Sequence, residues 1–390
     1  TEEKQRTKVD IAMSAWSVMV TLIYPEGCIG ILEEALRSAE KLGDRPASAR
    51  LCARIGSAHL WTGNTFEALK FTQKAFDEAE KLGDEETVGS TAAGLCTLYF
   101  LCGEALRLAE IAARAIALLE RAGKVPSATL PGLDAYAMLL HHLGWARAAM
   151  GDFEEGQRLC DKAMERAAEI RSPYSLAGAH TVFASISAYR GRPADLLYHG
   201  RETVRLCEEA QMPLLLGAGW ALEGYGHYYQ EDFAAANECA EKAISVILEH
   251  GPLAVLSSVH SLSAVVSQAL GNLPEARRSL EQAVKVAQEN RQKHFEGEAR
   301  MCLGRLTIEE DSSRIALAEQ TILEGVRMVE DLQIKPLQAW GHVFLGESYA
   351  IAGKKKKALA SLRKAQHMAQ DMGMDYWLAR TEKALESLRG

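Results

Sequence analysis

The sequence predicts an all-α solenoid, about nine helical hairpins in tandem followed by one closing helix. Three observations lead there. A period of about 40 residues runs along the 390-residue chain, glycines and prolines fall at matching points of each period, and apolar residues between them recur at helical spacing.

The period is visible in a repeated string. Ala39-Glu40-Lys41-Leu42-Gly43-Asp44 returns as Ala79-Glu80-Lys81-Leu82-Gly83-Asp84. The same offset gives a column of small residues: Ala35, Ala75, Ala115, Ala163, Thr203, Ala243, Ala283, Gly325 and Ala365. A second column precedes the first by a fixed step: Ile23, Gly63, Gly103, Gly151, Gly191, Glu231, Gly271, Ser313 and Gly353. Glycine fills six of these nine positions and marks a tight turn inside each unit. Just after it, Asn64 with Glu67, Asp152 with Glu155 and Asn272 with Glu275 read as helix starts.

The ten prolines respect the same frame. Pro25, Pro193 and Pro274 fall at turns within repeats, and Pro46, Pro173, Pro213, Pro252 and Pro336 at turns between them. Pro126 and Pro131 lie in the one long connection. None interrupts a predicted helix, where proline would cost about 3 kcal/mol. Between turns, segments of about 17 residues carry one apolar face. Leu69, Thr72, Ala75, Phe76, Ala79 and Leu82 are an example. Each repeat is therefore helix A, a turn and helix B, spanning 5–373 over nine repeats. A closing helix over 374–388, with Glu382, Lys383, Glu386 and Arg389 on its polar side, would cap the open end of the stack. The period slips by 8 at 124–132, which reads as a surface loop, either a hinge between lobes of three and six repeats or a neutral insertion.

Composition bounds the function. The chain is 48% hydrophobic with a net charge of −8, a soluble folded protein whose acidic balance argues against direct nucleic-acid binding or anionic membranes. No apolar run could cross a bilayer and no secretory signal opens the chain, so a cytoplasmic location is expected. The chain begins at Thr1, which suggests a processed chain or a piece of a longer one. Eight cysteines, none in a C-x-x-C pair, read as reduced, buried small hydrophobes.

The residues around the turn carry a resemblance. Leu345-Gly346-Glu347-Ser348-Tyr349-Ala350-Ile351-Ala352-Gly353 with Ala358 and Ala365, Leu143-Gly144 with Gly151-Asp152-Phe153, and Ile55-Gly56 with Gly63-Asn64 and Phe66 resemble the tetratricopeptide repeat. The standard unit has about 34 residues and this one about 40, so each helix is longer by nearly one turn. The long form resembles the C-terminal sensor arrays of bacterial ATPase-containing regulators, such as the maltose-operon activator type and the ATPase–adenylate cyclase fusions.

The resemblance implies a right-handed superhelix with helix A on the concave face. It places His141, Trp145, Thr181, Ser185, Tyr189, Tyr225, Tyr228 and Tyr229 in the middle of the groove. Arg305 falls toward the C-terminal end, in a mixed-charge region with Glu298, Glu309, Trp340 and Glu347. The middle is expected to be aromatic and nearly uncharged. Its rings either form a ligand or peptide site or pack between repeats and show only their hydroxyls.

No metal site is expected. His141 and His142 point about 100° apart on a helix, and the register shared by His180, His260 and His342 fits packing. Lys354 to Lys357 reads as a solvated turn, or as contact with an acidic partner. No phosphate loop, dinucleotide fingerprint, nucleophile elbow or H-E-x-x-H occurs, and the repeats leave no room for a catalytic domain, so a non-catalytic chain without cofactor is expected. Two function classes remain. One is a groove that holds a peptide or partner protein, including other domains of the same polypeptide. The other is a small-ligand sensor that gates an attached ATPase, cyclase or transcription-activator module.

Overall fold

The computed structural model describes residues 1–22, 24–123, 133–250 and 253–388, and its elements are all helices. Repeat one contains α1 (Glu2–Ser14), α2 (Trp16–Thr21) and α3 (Cys28–Leu42). Repeat two is α4 (Arg45–Trp61) and α5 (Thr65–Leu82), and repeat three is α6 (Glu85–Cys102) and α7 (Ala105–Ala122). Repeat four is α8 (Ala135–Ala149) and α9 (Phe153–Glu169), and repeat five is α10 (Pro173–Arg190) and α11 (Pro193–Glu209). Repeat six is α12 (Pro213–Tyr229) and α13 (Phe233–His250). In repeat seven a 3₁₀ turn, Leu253–Val255, leads into α14 (Leu256–Ala269) and α15 (Leu273–Glu289). Repeat eight is α16 (Lys293–Glu310) and α17 (Ile315–Asp331), repeat nine is α18 (Lys335–Ile351) and α19 (Lys355–Met372), and α20 (Asp375–Ser387) follows.

Local chemistry sets the boundaries. Asn64, Asp152 and Asn272 accept hydrogen bonds from the backbone N–H groups of Glu67, Glu155 and Glu275 at 3.2, 3.2 and 3.3 Å. Ser172 caps α10 in the same way, and Pro173 occupies the first helical position. The small-residue column is buried in all nine repeats, where helices A and B cross too closely for larger side chains. The first repeat departs from the single helix expected there. Arg54 Nη1 donates to the carbonyls of Ala12 and Met13, at 3.3 and 2.8 Å, beside the break between α1 and α2. Its guanidinium also lies 5.4 Å from the ring of buried Trp16.

All eight cysteines are free and buried. The insertion at 124–132 lies outside the described residues; across it, α8 packs on α6 and α7. No helix among the described residues is long and apolar enough to cross a membrane.

The superhelix winds back on itself after about five repeats. The turn glycine of repeat two meets Leu253, at the entry to repeat seven. Gly103 of repeat three meets His294 at the start of α16, and Gly151 of repeat four meets Lys335 at the start of α18. Gly191 of repeat five meets Tyr376 at the start of α20. Arg190 Nε donates to the carbonyl of Gly373 at 3.1 Å, and Phe66 stacks under the Arg291 guanidinium at 4.3 Å. The accessible surface is 16268 Å². A compact globular protein of this 42.6 kDa mass would expose roughly 15,000 Å². The array is therefore nearly as compact as a globule. The α20 helix accordingly does more than cover repeat nine: Glu382, Lys383 and Glu386 are exposed while Trp377 and Tyr376 pack against repeats five, six and nine.

Candidate functional site: a channel along the A helices

Winding back brings the late repeats across part of the concave face. Two adjoining cavities lie along it, sharing Phe100, Leu101, Thr181, Ala218 and Val255. The first, about 120 Å³, is almost wholly apolar and is lined by Trp61, Met138, His141, His142, Tyr174 and Leu214 among others. Burial drives His141 well below the ordinary histidine range and His142 down to about 4, so both rings are neutral near pH 7. His142 Nδ1 is hydrogen-bonded to the carbonyl of Met138 at 2.8 Å.

The second cavity, about 110 Å³, is lined on one side by Trp145, Ser185, Tyr189, Tyr225 and Tyr229, and on the other by His294, Phe295, Glu298 and Trp340. These walls come from repeats four to six and repeats eight and nine, far apart in sequence. Trp145 stands 6.2 Å from His294, and Tyr189 stands 6.0 Å from Trp340, ring centre to ring centre.

The nine residues singled out by sequence therefore divide. Thr181 faces both cavities, His141 the first, and Trp145, Ser185, Tyr189, Tyr225 and Tyr229 the second. Tyr228 and Arg305 line neither. Tyr228 packs against Tyr229 and Phe233 at 5.8 and 5.9 Å. Arg305 bridges Glu309 and Glu347, each at 2.9 Å. An open groove of exposed aromatics does not form: Trp145 is 1% exposed, His141 3% and Tyr189 8%. The phenols are largely satisfied by the fold. Tyr225 donates to the carbonyl of Ser258 at 3.2 Å, and Tyr229 to that of Ala188 at 3.5 Å.

The expectation of a nearly uncharged middle is also corrected. Glu298, assigned by register to the C-terminal end, sits in the second cavity because α16 is folded back across α10 and α12. It is half-buried, with no hydrogen bond or ion pair to any described residue, and partial desolvation among the rings pushes its carboxyl up to about 7. It raises the phenols of Tyr189, Tyr225 and Tyr229 further above their usual range, after burial, the largest influence on each. Glu347, by contrast, accepts two hydrogen bonds from Arg380 at 2.7 and 2.8 Å and one from Arg305 at 2.9 Å. Burial pushes its carboxyl upward, but the two guanidiniums outweigh that and hold it below the ordinary range. His294, Phe295 and the cavity position of Glu298 escaped the sequence reading. Their only sequence signal is a place on helix A, which every repeat shares.

The histidine register expected from packing has a specific cause at one point: His180 and His199 are buried with their Nδ1 atoms 2.7 Å apart. Lys357 pairs with Glu319 at 2.8 Å, while Lys354 to Lys356 are exposed. One set of donors not foreseen lies elsewhere: Glu223, His227 and Cys239 have ligand atoms within 4.8 Å of one another. Arg201 Nε already donates to Glu223 at 3.0 Å, and burial holds the Cys239 thiol up at about 11. The set is thus partnered by a cation and poor in thiolate.

No sequence-family description matches this chain, and no curated protein matches it in sequence. Solved structures do match in shape. A Rap protein complexed with Competence and Sporulation Factor superposes with a TM-score of 0.66 at 11% identity, over 94% of this chain and 99% of that one. NprR in complex with its cognate peptide NprX gives 0.59 at 12% identity, over 94% and 99%. A signal-transduction ATPase with numerous domains and a tetratricopeptide repeat sensor, from Pyrococcus horikoshii, gives 0.51 at 15% identity, over the whole of this chain and 55% of that one. These likenesses concern the fold, and together with the nine A–turn–B units they show that this chain is a tetratricopeptide-type solenoid in a long-repeat form.

Proposed function

We propose that the chain is a non-catalytic regulatory domain that binds a peptide, or one segment of a partner protein, in the channel along its concave face. The observation that carries this reading is the channel itself. It is recessed and aromatic, and its walls come from repeats far apart in sequence. A cavity of 110 to 120 Å³ takes side chains or a small group, never a folded surface. Two neighbours of similar fold are complexes, one with Competence and Sporulation Factor and one with a cognate peptide, which supports the reading by analogy of fold. Binding by a solenoid whose contacts close on themselves couples occupancy to curvature, which suits regulation.

A second reading uses the same site: a sensor of a small ligand that gates an attached module. The small volume of each cavity favours it, as does the likeness to the ATPase with a repeat sensor.

Titration of the full chain with a library of short unstructured peptides tests the first reading. A ligand at 100 times its Kd should stabilise the fold by about 2.7 kcal/mol. Ala218, which lines both cavities, is the place to obstruct them. Ala218→Leu should abolish the ligand-dependent thermal shift while leaving the helical circular-dichroism signal intact, with Ser185→Leu as the second obstruction. Peptide affinity unchanged in both folded variants would place the site elsewhere.

A further inference from the structure

The channel holds one charge that the fold leaves unanswered. Glu298 lies on α16 in the second cavity, with no hydrogen bond or ion pair to a described residue. The nearby cations are committed. Arg305 is held by Glu309 and Glu347, and Arg380 by Glu347, so two guanidiniums balance two carboxylates and Glu298 is left over. Glu298 is half-buried, and a carboxyl partly withdrawn from water without a partner weakens the fold, a cost that a well-packed apolar residue would relieve. Around it stand the faces and edges of Trp145, Tyr189, Tyr225, Tyr229 and Trp340. Aromatic rings carry negative π faces that attract cations, most strongly when water is excluded. An anionic ligand would be repelled here, and a neutral one would leave the carboxylate unpaired.

We propose that the second cavity receives an organic cation, a primary ammonium or a guanidinium, with Glu298 as counter-charge and the five aromatic side chains as its wall. This rests on the reading of the channel as a ligand site and specifies the ligand's chemistry. The cation is either a basic side chain or terminus of a bound peptide, or a free small amine. A cavity of about 110 Å³ has room for such a head group.

The proposal carries a pH signature. Among the channel's titratable groups, His141, His142 and His294 are held low by burial, the last two at about 4 and about 3. Tyr174, Tyr189, Tyr225 and Tyr229 are all raised above the ordinary phenol range, and the Cys302 thiol on the adjacent turn of α16 is pushed up to about 12. Guanidinium groups keep their charge throughout. Glu298, at about 7, is therefore the channel group that changes charge between pH 5 and 8. A cation needs the ionised form, so affinity rises with pH, about tenfold from pH 6 to 8. Without ligand the sign is opposite. A carboxyl whose folded pKa lies above its unfolded value costs stability as pH rises from the ordinary carboxyl range to about 7.

The test uses the full chain, calorimetric titration and three kinds of probe. These are seven-residue glycine–serine peptides with a single central arginine or lysine, the same peptides with glutamine there, and n-butylammonium against n-butanol. The expected result is at least tenfold tighter binding of the basic peptides than the glutamine peptide, rising with pH. Glu298→Gln should remove both the preference and the pH dependence, and its Tm should exceed that of the wild type at pH 8 but not at pH 5. Displacement of the basic peptide by n-butylammonium identifies the head group as sufficient, and its failure to displace identifies a peptide-borne cation. Peptides that bind without charge preference, or a preference that survives Glu298→Gln, overturn this proposal and leave the channel reading standing. Failure of every probe to bind, with Ala218→Leu indistinguishable from wild type, removes the channel reading itself and this proposal with it. Equal Tm-versus-pH profiles for wild type and Glu298→Gln would overturn the proposal without any ligand.

Discussion

Gly103 and Gly191 stand in the same sequence column as Gly271 and Gly353, and all four have positive φ, 81, 74, 81 and 69°. Their surroundings differ completely. A Cβ on Gly103 would lie 2.7 Å from the Cβ of His294, and one on Gly191 would lie 2.5 Å from the Cβ of Tyr376. A Cβ on Gly271 or Gly353 would meet nothing within 4 Å. The cause is the superhelical period. The turns of repeats two to five meet repeats seven to nine and α20, five units further on. The turns of repeats seven and nine have no described residue five units further on. Glycine in the first group answers two demands, backbone conformation and close approach, while in the second group it answers only the first. The sixth turn agrees: it has no described partner five units on, and there Glu231 replaces glycine at φ 62°.

The comparison breaks most sharply at the crowded turns. Gly191→Ala or Gly103→Ala should cost about 2–4 kcal/mol, from left-handed strain plus overpacking against a side-chain root that cannot swing away. Thermal unfolding measures the loss. Small-angle scattering should show a larger radius of gyration as the winding contact opens; an unchanged radius with unchanged Tm would refute the contact. At the open turns, Gly271→Ala and Gly353→Ala should cost about 1 kcal/mol, the backbone share alone, with no change in radius. A cost equal to that at Gly191 would mean the two groups do not differ. The smallest effect belongs to Glu231→Gly. Relief of left-handed strain and the added freedom of the unfolded chain oppose one another, so the shift should stay within about 0.5 kcal/mol. A loss several times larger in denaturant unfolding would show that the Glu231 side chain supports the fold.

The repeat frame was legible because each unit carries its own punctuation. The caps at Asn64, Asp152, Asn272 and Ser172 and the buried small-residue column, from Ala35 to Ala365, are local or nearest-neighbour features, and a window of one repeat contains all the information they need. The break between α1 and α2 was missed because it depends on Arg54, which belongs to the next repeat. The channel was half legible. The family resemblance set Thr181, Ser185, Tyr189, Tyr225 and Tyr229 on the concave face, but it also set Tyr228 and Arg305 there, which the tertiary contacts divert into packing and ion pairing.

By itself the sequence determined the helices, their lengths, their turns and the side of each helix that faces its neighbour, since these follow from propensity, capping and periodicity within one or two repeats. Only the tertiary structure decided that late repeats fold back over the concave face, that Trp145 is buried, and that Glu298 stands among the aromatics of repeats four to six. Those facts depend on a small rotation between successive repeats, accumulated over five of them. Nearest-neighbour packing sets each step, and no short motif records the sum.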